Sequence, residues 1–370
     1  MSQLGIDTAL QGGKYKIVKV LGQGGFGITY LASQTMLTRK VAIKEFFMKD
    51  FCSRDALTHS ILTTSTDADS QVELYKKKFI KEAKNLAKLH HPHIINVMDI
   101  FEENNTFYYV MPYFSNGSLQ DLVNKKGVLT EKNAIKYLKQ IALALKYMHE
   151  EQHICHYDVK PANILLDDDN NAVLIDFGIS KNYDQKGHET TTTPIGISEG
   201  YSPIEQYRQN METFSPASDI YSLGATLYFL LHGKKPVSAV NRAEGENLFI
   251  DESISSKMKE IIKTSMMISR RNRPQSMAVF FDAYRNYSAK TSLSDNENTA
   301  IINNNIKTNP EVHQTTVSIC SRHDTGNRLW IFWVLGIIAI AIAIGFYVHN
   351  LQSMEPARVE KANYQDYFDK

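Results

Sequence analysis

His156-Tyr157-Asp158-Val159-Lys160-Pro161-Ala162-Asn163, followed by Asp176-Phe177-Gly178, decides the reading of this chain. The first stretch sets a carboxylate, an ammonium and a carboxamide on one short loop. The second closes an apolar run, Ala172-Val173-Leu174-Ile175, with a further carboxylate in a turn. Alone, the second is an ordinary turn after a buried strand; the two in this order and at this distance are a chemical set. Transfer of a phosphoryl group passes through a loose transition state, so it needs positioned reactants and neutralised charge more than covalent chemistry. Asp158 suits the proton of an incoming hydroxyl, Lys160 the charge of the moving group, and Asn163 and Asp176 the hard-oxygen coordination of Mg²⁺.

Upstream elements fit the same chemistry. Gly22-Gln23-Gly24-Gly25-Phe26-Gly27 follows apolar residues at Tyr15, Ile17, Val18 and Val20 and leads into Ile28-Thr29-Tyr30-Leu31-Ala32. This predicts a glycine-rich hairpin whose backbone N–H groups can approach phosphates. A dinucleotide fold would open a helix at the last glycine, and the β-prone residues that follow argue against it. Val41-Ala42-Ile43-Lys44 reads as a third strand ending on a lysine that can hold phosphates. Phe79, Ala83, Leu86, Ala87 and Leu89 recur at helical spacing after Lys76-Lys77-Lys78, and Glu82 within that pattern is the expected partner of Lys44, with Glu73 as the alternative.

Residues 14 to about 285 thus resemble a protein kinase catalytic domain, close to the eukaryote-like Ser/Thr kinases of bacteria. The resemblance implies an α+β, two-lobed fold: a small antiparallel lobe with one key helix, a large mainly helical lobe, and ATP between them. It implies Met111 as the gatekeeper before the hinge, adenine bound by the Pro112 carbonyl and the Phe114 N–H, and the ring held between Ala42 and Leu165. It also makes Asp158 and Lys160 catalytic. Gly22 to Gly27, Thr29, Lys44 and Glu82 then serve ATP, and Asn163 and Asp176 serve Mg²⁺. Ser198 falls where the family contacts the catalytic aspartate and lysine. Glu205, Asp219 and Arg273 match residues that support the site without reacting.

Four departures qualify the match. Tyr157 stands where many kinases carry an arginine that grips a phosphate on the activation segment, which argues against such phosphorylation as the switch. Thr29 replaces a valine over the adenine. Pro203-Ile204-Glu205 alters the segment's end but keeps the glutamate. About Phe46 to Val72, roughly twenty residues beyond the family minimum, reads as a polar surface insertion (Thr63-Thr64-Ser65-Thr66-Asp67) of small thermodynamic cost, with a docking or regulatory element as the alternative. Thr190-Thr191-Thr192-Thr193, between Gly178 and Glu205, reads either as loop threonines or as autophosphorylation sites.

The 370 residues, 43% hydrophobic and 22% charged, can bury a two-lobed core, and a net charge of +1 gives no argument for nucleic acid as partner. Cys52, Cys155 and Cys320 are widely spaced and support neither a disulfide framework nor a zinc site. Residues 286–328 are rich in Ser, Thr and Asn without apolar period and read as a juxtamembrane linker. Residues 329–348 are continuously apolar, and about twenty residues at ~1.5 Å rise can cross a ~30 Å hydrocarbon core. Trp330, Trp333 and Tyr347 suit its interfaces. Met1 to Gly13 lacks the apolar core of a signal peptide. Because ATP is cytosolic, the expected topology is single-pass, with the kinase domain in the cytoplasm and residues 349–370 outside as a short tail.

The whole predicts a membrane-anchored serine/threonine protein kinase using ATP and Mg²⁺. Its partners would be protein substrates with Ser/Thr acceptors, membrane lipid through one span, and a second copy by self-association. The alternative is a nucleotide-binding pseudokinase scaffold, whose marks, loss of Lys44, Asp158, Asn163 or Asp176, are absent.

Overall fold

The structure, a computed structural model, describes residues 2–177, 181–182, 196–209 and 215–282. Two lobes with separate apolar cores make up this part of the chain, the arrangement expected from the sequence.

The small lobe is a six-stranded antiparallel sheet. Its strands β1 (Ala9–Leu10), β2 (Tyr15–Gln23), β3 (Gly27–Gln34), β4 (Arg39–Phe46), β7 (Asp99–Glu103) and β8 (Thr106–Pro112) pair in the order β1-β2-β3-β4-β8-β7. A separate hairpin, β5 (Cys52–Arg54) with β6 (Ile61–Thr63), lies between β4 and helix α1 (Thr66–Leu86). Alternation in β2 buries Tyr15 and Ile17 and turns Val18 outward, so Val18 does not join the apolar row. Helix α1 buries Ala68, Val72, Phe79, Ala83 and Leu86, a stripe at helical spacing.

Three sequence expectations need correction here. Lys44 does not end its strand: β4 continues to Phe46, because the next side chain, Glu45, is buried against partners on the opposite face. Helix α1 begins at Thr66, well before the lysine run, because the Ser65 hydroxyl accepts the Ala68 N–H at its N-terminus (3.3 Å). The insertion is not a polar surface loop. Phe46, Phe47, Met48, Cys52, Arg54 and Ile61 are all buried, so it forms part of the small-lobe core.

In the large lobe, α2 (Leu119–Lys126) opens with reciprocal Ser118 and Asp121 bonds that satisfy its first N–H groups. Helix α3 (Glu131–Glu150) follows, then β9 (Ile154–Cys155), the hairpin β10 (Ile164–Leu166) with β11 (Ala172–Leu174), and β12 (Lys181–Asn182), which pairs with β9. After α4 (Ile204–Tyr207), α5 (Pro216–His232) is buried all round from Ala217 to Leu231, the pattern of a helix at the centre of a core. Helices α6 (Ala239–Ala243) and α7 (Ser256–Ser265) complete the lobe. Gly178, the Thr190–Thr193 run and the apolar segment 329–348 lie outside the described residues. Among the described residues, no helix is long and apolar enough to cross a membrane.

Candidate active site

Two short hairpins and one strand carry the chemistry. The glycine-rich turn joins β2 to β3, closed by Gly24 N–H donating to the Gly27 carbonyl (2.9 Å). A Cβ on Gly27 would meet the Glu45 carbonyl at 2.8 Å, so only glycine lets β3 approach β4 this closely. Side chains at Gly22, Gly24 and Gly25 would meet nothing within 4 Å, so the turn leaves open space where its backbone can meet a ligand. Phe26 is exposed and stacks on Tyr75 of α1, ring centroids 4.8 Å apart. Gln23, the residue before the turn's double glycine, accepts from Gln3 (2.8 Å).

Lys44 Nζ reaches Asp176 Oδ1 at 3.2 Å and Glu82 Oε1 at 3.4 Å. The alternative, Glu73, instead pairs with Lys77 along the helix (3.7 Å). Burial works against the lysine's charge, but Glu82, Tyr109 and Asp176 more than offset it and hold its pKa well above the ordinary value. Lys44 in turn, opposed by burial, holds the Asp176 carboxyl below the usual range. Tyr109 of β8 joins this pair. Its hydroxyl donates to Glu82 Oε1 (3.1 Å) and its ring lies under Lys44 (5.6 Å). Within an apolar strand, Tyr108-Tyr109 carries no signal for that role.

Thr29 and Tyr109 flank Lys44 in the sheet register, and Met111 lies opposite Ala42. Met111 packs against both lobe cores, while half-buried Phe114 packs against the large-lobe core. Pro112 ends β8. Leu165 comes from β10 of the large lobe and is bridged to Ser118, so Ala42 and Leu165 belong to opposite lobes.

Asp158 is the hub of the loop before β10. Its Oδ1 accepts the Ser198 hydroxyl (2.6 Å), and its Oδ2 accepts Lys160 Nζ and the Asn163 amide, each at 2.8 Å. Lys160 also donates to Ser198 Oγ (2.9 Å). Asn163 uses its amide nitrogen again on the Asp158 carbonyl (3.0 Å), so its Oδ1 takes no part in these two bonds. Asn163 Oδ1 and the ionised Asp176 are a hard-oxygen pair of the kind Mg²⁺ selects. His149, Cys155 and Asp219 also cluster, but His149 and two backbone N–H groups already occupy Asp219.

The loop backbone is held from below. Asp219 on α5 accepts the N–H groups of His156 (2.8 Å) and Tyr157 (2.7 Å) and the His149 ring (2.7 Å). Burial raises its pKa, yet the His149 bond and nearby histidines bring it below the ordinary value. His156 donates through Nε2 to the Ile175 carbonyl (3.1 Å) and accepts the Asp158 N–H on Nδ1 (3.2 Å), which assigns its proton to Nε2. It thereby ties the Asp158 loop to the strand before Asp176. Tyr157 and Asp176 both adopt positive φ (63° each), a left-handed conformation that non-glycine residues rarely take. Tyr157, the departure from arginine, is buried, and its carbonyl accepts Gln206 Nε2 (2.7 Å). Arg273 grips both oxygens of Glu205 (2.7 and 3.0 Å) in the core.

The protein kinase domain family matches residues 15–323. The chain belongs to the protein kinase family. It is 34% identical over 224 residues to the serine/threonine-protein kinase PrkC of Bacillus subtilis, covering 60% of this chain and 31% of that protein. It is 31% identical over 284 residues to serine/threonine-protein kinase B of Synechocystis, covering 73% of this chain and 46% of that protein. The solved structure described as the PpkA-294 apo form superposes with a TM-score of 0.65 at 25% identity, over 77% of this chain and all of that one. The chain spans between about a third and a half of the length of these curated relatives.

Proposed function

We propose that this kinase-family chain is a serine/threonine protein kinase that transfers the γ-phosphoryl group of ATP to protein Ser/Thr hydroxyls and to itself. The observation that carries this is the Asp158–Lys160–Asn163–Ser198 cluster, complete and hydrogen-bonded, together with Lys44 shared between Glu82 and Asp176. Asp158 accepts the proton of the attacking hydroxyl and fixes its oxygen. Lys160 neutralises charge beside the transferred group, and Ser198 keeps Lys160 and Asp158 in register. Lys44 holds ATP phosphates under the glycine-rich turn, while Met111, Pro112, Phe114, Ala42 and Leu165 receive the adenine. Asn163 and Asp176 would hold Mg²⁺, which when bound neutralises phosphate charge.

The serine/threonine preference is supported by the Lys160-Pro161-Ala162-Asn163 pattern and by the relatives' names. Membrane anchoring by residues 329–348 is supported by the apolar run in the sequence, the cytoplasmic side of the kinase domain by the cytosolic location of ATP, and self-association by a tail, 349–370, too short for a sensor domain of its own.

The test is phosphate incorporation by the full-length chain in vesicles with Mg²⁺ and ATP, beside Asp158→Asn. The expected result is incorporation on Ser and Thr that falls by roughly 10²–10⁴-fold in the variant. ATP binding without transfer in the parent chain supports the scaffold reading instead.

A further inference from the structure

Glu45, the residue after Lys44, points into the small lobe, where none of it is exposed. Its Oε2 accepts Arg54 Nη2 (2.6 Å) and the Tyr30 hydroxyl (2.8 Å), and its Oε1 accepts the Tyr108 hydroxyl (2.6 Å). Arg54, from the hairpin of the insertion, also donates Nε to the Ser2 carbonyl (3.0 Å) and Nη1 to the His59 carbonyl (2.8 Å). Its guanidinium lies over Phe47, 5.7 Å from the ring centre. Replacing a buried ion pair by well-packed apolar groups is often neutral for stability, so stability alone does not account for this pair.

What that orientation governs is visible along the intervening chain. Phe47 N–H donates to the Phe26 carbonyl and Lys49 N–H to the Gly25 carbonyl, both at 3.2 Å, so the insertion fastens the glycine-rich turn by its backbone. On the far side of the hairpin, Thr64 N–H returns to the Phe51 carbonyl (2.9 Å), and Ser65 starts the helix that carries Tyr75 and Glu82. Ile61 bonds the β7–β8 turn in both directions, its N–H to the Asn104 carbonyl (2.8 Å) and its carbonyl from Asn105 Nδ2 (2.9 Å). The segment therefore touches the strand of Lys44, the turn over the phosphates and the helix of Glu82.

We propose that Arg54 is a positioning residue: anchored on Glu45, it holds residues 46–65 as a brace that presets the glycine-rich turn and helix α1 against Lys44. The brace acts on nucleotide through those elements, so its catalytic consequence rests on the kinase reading above. Breaking the anchor lets the turn and helix move apart and weakens nucleotide binding before it weakens chemistry.

The test compares the full-length chain with Arg54→Met, Arg54→Lys and Lys49→Pro. It measures the dissociation constant of a fluorescent ATP analogue with Mg²⁺, KM for ATP, kcat and the thermal unfolding midpoint. Expected is a rise of about tenfold in KM and in the dissociation constant for Arg54→Met, larger than the fall in kcat, with Arg54→Lys recovering most of it. Lys49→Pro removes the N–H that holds Gly25, together with an exposed lysine side chain, and fixes the backbone at that position. It is expected to raise the dissociation constant several-fold with the midpoint kept, and it carries the test should Arg54→Met not fold. Unchanged nucleotide affinity in the folded variants, with loss only of midpoint or active fraction, would overturn the proposal. Absence of phosphate transfer by the parent chain would sink the kinase reading alone, since the binding comparison still tests the brace.

Discussion

Lys44 and Glu45 are neighbours on one strand, and they live in opposite electrostatic regimes. Lys44 faces the cleft, with contacts of 3.2 and 3.4 Å to two carboxylates, one of them 47% exposed. Glu45 faces the core, with three contacts of 2.6 to 2.8 Å and no exposure. Alternation of side chains across a pleated strand allows this juxtaposition in two consecutive positions. The Lys44 contacts are longer and partly open to solvent, whereas those of Glu45 are short and closed to it. One strand thus turns a cation toward the cleft and, at the next position, a fully bonded carboxylate into the core.

The comparison breaks most visibly at Glu45. Glu45→Ala leaves Arg54 buried without its counter-charge and should cost about 3–5 kcal/mol, read as a lower denaturant midpoint at unchanged slope. A loss below ~1 kcal/mol would mean that water reaches the cluster and that the two faces are alike. Lys44→Met should do the reverse: phosphate transfer falls by about 10²–10³-fold while the unfolding midpoint moves by only a few degrees. Were both variants to lose stability equally, the distinction between a loose functional set and a tight structural one would be gone.

Smaller changes sharpen it. Tyr109→Phe removes the hydroxyl bond to Glu82 but keeps the ring under Lys44, so nucleotide affinity should fall only a few-fold, about 1 kcal/mol, by titration. The pH dependence should be the smallest effect. Asp176 has a folded pKa below its ordinary 3.8, so its stabilising contribution is complete above that value and is lost as pH falls through the lower folded one. Lys44 has a folded pKa above 10.5, so its contribution is complete below that value and is lost as pH rises through the higher one. Neither titrates near neutrality. Nucleotide affinity measured between about pH 7 and 9 should therefore show no step from this pair, and a step there would mean that Lys44 is not held by its carboxylates.

The legible and illegible parts of the molecule differ in physical kind. The grouping of Asp158, Lys160 and Asn163 was readable because the three stand on one short segment, which brings their side chains together in any fold. Glu82 was readable from the helical period around Phe79 and Ala83. The insertion misled, since three-residue strands are too short to display alternation and its threonines look like loop residues. Thr63 lies in β6 and Ser65 caps a helix. Tyr157 was visible as a departure, but only the structure shows its side chain buried, with the Tyr157 carbonyl bonded to Gln206 and its N–H to Asp219.

By itself the sequence determined which charged and polar groups stand on the loop at Asp158 and the turn at Asp176, their order, and two lobes' worth of apolar residues to carry them. Tertiary structure alone decided which charges pair and how tightly. Tyr30, Arg54 and Tyr108 come from separate segments and converge on Glu45, with the Ser2 carbonyl accepting from Arg54, only once the small lobe is assembled. The worth of a charge depends on the water and the partners around it, and neither is encoded in the spacing of residues along the chain.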